Sequence, residues 1–97
     1  MAVVVVHQGP SLTQEAYEET VRRLTGGKDR LESLSDWPVE GIVFHTAGQS
    51  PDGFRVVDVW ESEEAFGRFG ETLGPIMQDL GVTEQPQAYP AHTFVPS

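Results

Sequence analysis

The stretch from Gly41 to Ser62 constrains the fold of this chain more than any other. It reads Gly-Ile-Val-Phe-His-Thr-Ala, then Gly-Gln-Ser-Pro-Asp-Gly, then Phe-Arg-Val-Val-Asp-Val-Trp-Glu-Ser. Two β-branched and aromatic runs flank a cluster of Gly, Ser, Pro and Asp, which predicts an antiparallel hairpin with a loop longer than two residues. Side chains alternate across a strand, so a register with Ala47 opposite Phe54 sorts the two arms onto two faces. One face carries Ile42, Phe44, Val57 and Val59, is wholly apolar, and is expected to lie under helices. The other carries Val43, His45, Val56, Asp58 and Trp60. It is apolar with an imidazole, a carboxylate and an indole set in it, and is expected to be the functional face.

The flanking chain supplies the rest of the sheet. Val3 to Gln8 contains four consecutive valines and reads as a central strand. Ser11 is the expected cap of a first helix, with Gln14 completing a capping box, and Gly26-Gly27 as the stop. Leu12, Ala16, Val21 and Leu24 keep helical spacing, with Tyr17 and Thr20 flanking them. Leu31 and Leu34 suggest one more turn, and Asp36-Trp37-Pro38 an irregular link. Ser62 caps a second helix with Glu63 and Glu64 in its first turn, and Ala65, Phe66, Phe69, Leu73, Ile76, Met77 and Leu80 form its apolar stripe. A break is expected at Gly74-Pro75. Gln87 to Val95 reads as a last strand, placed at an edge by Pro90. Strand, helix, strand, strand, helix, strand is the α+β, ferredoxin-like βαββαβ order with a four-stranded antiparallel sheet. Both helices cover one face, and a second copy of the sheet is the expected cover for the other.

Ninety-seven residues make a single domain, 1–97, with one modest core. Six Lys and Arg stand against fifteen Asp and Glu, for a net charge of −9. That leaves no cationic cluster to neutralise phosphates, so neither nucleic acid nor an anionic membrane is an expected partner. No apolar run is long enough for a membrane helix, and Met1 to Val6 lacks the basic start of a signal peptide. There is no cysteine, hence no thiol nucleophile or disulfide framework, and the cytoplasm is the default location. Gly26-Gly27-Lys28 is a helix stop, not a phosphate cradle.

The pattern Gly41-Ile42-x-x-His45, then Asp52-Gly53-x-x-x-Val57-x-x-Trp60-x-Ser62-x-x-x-Phe66, then Pro75 and Gly81, resembles the small dimeric α+β barrel superfamily. That superfamily includes antibiotic-biosynthesis monooxygenases and polyketide cyclases. The resemblance covers nearly the whole chain. It implies a homodimer in which each sheet's open face lines a cavity for a small, often aromatic, molecule. It also implies chemistry without metal or flavin, since the oxygenases of the group typically use neither. Their patterns often carry an Asn on the second or third strand beside the Trp, where this chain offers Asp58.

On this basis His45 is the candidate base, and Asp58, expected as its diagonal neighbour, orients it; a carboxylate beside an imidazole suits general acid–base work. In the structural alternative, His45 hydrogen-bonds at a strand end and Asp58 pairs with Arg55 or another arginine. Trp60 is the expected aromatic wall, with Val43 and Val56 lining it. Tyr89 is placed to donate to a substrate oxygen, and His92, on the last strand, to approach His7. Tyr17 and Trp37 are expected at the cavity border. No HxH or HxxxH spacing exists, so no metal site is expected. The expected function is that of an enzyme acting on an apolar aromatic or polyketide-like molecule. Proton transfer would lead to cyclisation or dehydration, or to oxygenation if the substrate's own anion reduces O₂. The alternative is a non-catalytic, small-ligand-binding or stress-related dimer, with a small or closed cavity and a structural His45.

Overall fold

A computed structural model of the chain describes residues 1–28 and 30–95; Asp29 and the last two residues of the expected domain lie outside them. The elements are β1 (Val3–Gln8), α1 (Gln14–Thr25), a 3-10 turn (Leu34–Asp36), β2 (Ile42–Ser50), β3 (Gly53–Trp60), α2 (Glu63–Asp79) and β4 (Gln87–Pro90). The strands form one antiparallel sheet in the order β2-β3-β1-β4. With both helices on one side, this is the ferredoxin-like α+β fold. The valine-rich β1 is central, and Pro90 ends an edge strand, where its missing N–H breaks no internal ladder.

Several local signals act as the sequence indicates. Gly26 closes α1 in the left-handed conformation at φ 78°. The Ser62 hydroxyl accepts the Ala65 N–H at 3.1 Å and starts α2. Others do not. Thr13, not Ser11, caps α1, its Oγ1 accepting the Ala16 N–H at 3.1 Å. α2 continues through Gly74-Pro75. Pro75 costs it one backbone bond, but Gly74 has no Cβ to meet the proline ring, so the turn survives. The last strand stops at Pro90, and only the Ala91 N–H reaches further, to Ala2 O at 2.9 Å.

The hairpin departs from expectation in two ways. Its loop is only Pro51-Asp52, with Ser50 paired to Gly53. The Ser50 hydroxyl tightens it, donating to Gly53 O at 2.6 Å and accepting the Asp52 N–H at 3.2 Å. The register therefore sits two residues from the expected one: Ala47 faces Val56, and His45 lies directly opposite Asp58. A two-residue shift preserves parity, so His45, Val56, Asp58 and Trp60 still share a face. Val43 is also an extra residue, a β-bulge between the pairs Ile42–Trp60 and Phe44–Val59. It turns Ile42 to the face opposite Phe44.

The larger correction concerns which face the helices cover. The core joins Val3, Val5, Ile42, Phe54 and Trp60 of the sheet to Tyr17, Val21 and Leu24 of α1 and Ala65 and Phe69 of α2. The helices thus lie over His45, Val56, Asp58 and Trp60, while Phe44, Val57 and Val59 lie on the uncovered side. Aromatic bulk explains the choice. Trp60 is fully buried, with its ring 4.9 Å from Phe69 and 6.0 Å from Phe66, and such a side chain has the most apolar surface to remove from water. The face without helices carries Val4, Val6, Val57 and Val59; Val6 and Val59 are nonetheless buried, and the exposed apolar groups are Phe44 and Tyr89 at its borders, 43% and 47% exposed. Phe94 lies edge-on to Phe44, ring centres 6.4 Å apart.

Candidate active site beneath the helices

Asp58 on β3 and His45 on β2 face each other across the ladder. The Nδ1 of His45 donates to Asp58 Oδ1 at 2.6 Å. Asp58 is 7% exposed, and a carboxylate so buried is costly unless a donor compensates it. The third member comes from α1. Tyr17, Thr20, Val21 and Leu24 form its buried stripe, at the spacing of one helical face. Leu12 and Tyr17 occupy the two positions of a hydrophobic staple around the Thr13 cap, and both are buried. Tyr17, taken from the sequence as a flanking residue, is therefore central. Its ring lies 5.1 Å from that of Phe54, and its hydroxyl donates to His45 Nε2 at 2.6 Å.

The chain Tyr17–His45–Asp58 fixes its own protonation. The carboxylate holds the proton on Nδ1, which leaves the Nε2 lone pair for the Tyr17 hydroxyl. Burial, with a smaller contribution from the Asp58 charge, pushes the Tyr17 phenol up to about 12, so at neutral pH it keeps its proton. Trp37 follows the 3-10 turn, which a Ser33/Asp36 capping box holds in place. Its indole lies edge-on to His45 at 5.4 Å and 5.4 Å from Phe69. Among the described residues, the ring nitrogens of Trp37 and Trp60 are buried polar side-chain atoms without a hydrogen-bond partner.

Two spaces adjoin this chain of groups. A small pocket of about 40 Å³ is bounded by Val5, His7, Tyr17, His45, Asp58 and Met77. A cleft of about 520 Å³ opens between α1 and β2, and both Tyr17 and His45 reach its wall. On the other side of the small pocket, His7 Nε2 donates to the Glu84 carbonyl at 3.1 Å. The Glu84 carboxylate accepts the Ser11 N–H at 3.0 Å, the Ser11 hydroxyl, and the Thr83 hydroxyl at 3.1 Å. Ser11 is thus tied to the loop before β4 instead of capping α1. A side chain at Gly9 would put its Cβ 2.0 Å from Glu84 Cγ, so glycine is what lets the two loops meet.

Of the site residues expected from sequence, His45, Asp58 and Val56 converge. Trp60 shares their face but serves as core. Val43 sits on the bulge and is 38% exposed. Tyr89 pairs with Val4 and faces the uncovered side. His92 is exposed beyond β4. It lies at the opposite end of the sheet from His7, since Val3 pairs with Pro90. Val43, Tyr89 and His92 are therefore not part of this site. Among the described residues, no three His, Asp or Glu side chains gather as a metal-ligand set.

No protein-family model and no curated protein matches the chain. Solved structures do. SnoaB from Streptomyces nogalater, a cofactor-independent oxygenase, superposes in a single-substitution mutant form with a TM-score of 0.61 and 18% identity, covering 99% of this chain and 98% of that one. Another SnoaB structure gives 0.58 and 17%, over the same shares. ActVA-Orf6 of Streptomyces coelicolor, a monooxygenase in complex with nanaomycin D, gives 0.47 and 26%, covering 99% and 91%. The SnoaB superpositions show a shared fold along the whole chain. No helix among the described residues is long and apolar enough to cross a membrane.

Proposed function

We propose that this chain is an enzyme working without metal or flavin on a small, largely apolar aromatic or polyketide-like molecule, by acid–base chemistry of the cyclase, dehydratase or monooxygenase kind. The observation that carries the proposal is the buried His45–Asp58 pair at 2.6 Å, next to a small pocket. A substrate with an acidic C–H or phenol gives up its proton to this system, and the Asp58 carboxylate balances the imidazolium that results. The substrate anion then cyclises, eliminates, or reduces O₂ itself. The fold shared with a cofactor-independent oxygenase supports the same reading. We further propose a cytoplasmic homodimer, joined through the sheet face opposite the helices, where the exposed rings of Phe44 and Tyr89 are the apolar groups left for a partner.

The test uses a dihydroxyanthrone as probe, because its acidic C–H reports proton abstraction by exchange in D₂O without oxygen. His45→Ala and Asp58→Asn, checked for folding by circular dichroism, are expected to lower catalysed exchange by about a hundredfold. Full exchange in both variants would sink the assignment. The small size of the pocket beside the pair, about 40 Å³, favours a second reading: a ligand-binding or stress-related dimer in which His45 is structural. That protein would bind the probe and leave its exchange at the solvent rate.

A further inference from the structure

One feature of the site does not fit His45 as the group that meets the substrate, and a second bears on where the substrate sits. Both ring nitrogens of His45 are engaged, Nδ1 with Asp58 and Nε2 with Tyr17, each at 2.6 Å. The smaller pocket, which both Tyr17 and His45 line, is about 40 Å³, far below the several hundred cubic ångströms that a drug-sized ligand occupies. The neighbouring cleft of about 520 Å³ is within that range. From these two observations, and resting on the acid–base reading above, the geometry points to Tyr17 as the catalytic residue that exchanges the proton with substrate, in the cleft between α1 and β2.

The cleft offers a hydroxylated aromatic molecule a mixed polar and apolar lining. Leu31, Ala47 and Phe54 give it apolar walls, while Gln14, Glu18, Arg30 and Gln49 add polar groups that suit hydroxyl or carbonyl substituents. Tyr17 and His45 complete its lining. The step balances in protons and charge. The substrate C–H or O–H bond breaks and its proton forms an O–H bond on Tyr17 Oη. The proton Tyr17 already carried moves along its existing hydrogen bond to His45 Nε2. The substrate is left as an anion and His45 as an imidazolium, held by the Asp58 carboxylate on Nδ1. No oxidant, metal or cofactor enters this step. Burial pushes Tyr17 up to about 12, so no phenolate stands at rest and the two transfers are coupled. His45 and Asp58 act through Tyr17, as positioning and charge-balancing residues.

The experiment measures exchange on the same dihydroxyanthrone with Tyr17→Phe, which keeps the ring and frees Nε2. If Tyr17 is the terminal group, exchange falls by about a hundredfold although His45 and Asp58 are intact. If His45 itself meets substrate, the variant keeps or exceeds the wild-type rate, and the inference is overturned. Ala47→Phe, which narrows the cleft, tests the location without relying on the Tyr17 variant's folding. Probe affinity by fluorescence titration is expected to drop by about tenfold, which is 1.4 kcal/mol; unchanged affinity overturns the cleft assignment. Loss of exchange in His45→Ala and Asp58→Asn but not in Tyr17→Phe defeats this inference alone. No loss in any of the three defeats the acid–base reading as well, as does a wild-type protein that neither binds nor exchanges the probe.

Discussion

The two faces of the sheet carry similar apolar content and differ in what packs on them. On one, Val3, Val5, Phe54, Val56 and Trp60 surround His45 and Asp58, and the helices close over them. On the other, Val4, Val6, Val57 and Val59 stand between Phe44 and Tyr89 with no helix above. Counting apolar residues does not separate these faces; size and polarity do. The covered face holds the large aromatic rings, which interlock with Phe66 and Phe69. It also holds the only histidine–carboxylate pair among the described ion pairs, and α1 brings the hydroxyl that completes it. A buried polar group needs such a partner, and a helix layer can provide one at a defined distance. An open apolar face needs only a complementary surface.

The sharpest way to break this comparison is Trp60→Ala. Removing a fully buried indole is expected to cost about 3–5 kcal/mol in urea unfolding. A loss below about 1 kcal/mol would mean that the covered face is not the core. Next comes Gly9→Ala at the far end of that face, where the added methyl meets Glu84. The expected cost is about 1–3 kcal/mol, and an unchanged midpoint would show that the loop contact is dispensable.

The pH dependence sharpens the picture at the same end. Burial is the main cause lowering the His7 pKa below 6.5. The unfolded chain therefore binds this proton more readily than the folded one. The stability it contributes is complete above pH 6.5 and is lost as pH falls through the folded value. Glu84, held below 4.5 chiefly by the Ser11 hydroxyl, adds a loss of the same sign at lower pH. His7→Gln is expected to flatten the upper part of this decline in unfolding titrations. An unaltered slope would remove His7 as its source. The smallest effect on folding is expected from Phe44→Asp on the open face, within about 0.5 kcal/mol for the monomer. By light scattering, the same variant is expected to halve the particle mass. A dimer that persists would place the interface elsewhere.

Local pattern, read residue by residue, was enough for much of this protein. The Ser62 cap, the Gly26 stop, the extent of β1, its central position and the edge position of β4 all follow from short-range stereochemistry or from one run of side chains. The shared face of His45 and Asp58 also survived a misplaced register, because alternation has a period of two and the shift was two. What escaped was non-local. Ser50 closing a tighter loop, the bulge at Val43, Ser11 turning to Glu84 and Tyr17 reaching His45 each depend on a backbone position that a linear pattern does not contain. The side on which the helices lie was the largest such choice. Alternation sorts residues into two groups but assigns neither to the interior. That assignment comes from packing Trp60, Phe54 and the helix side chains together, and from matching a buried carboxylate with donors brought in from another strand and another helix.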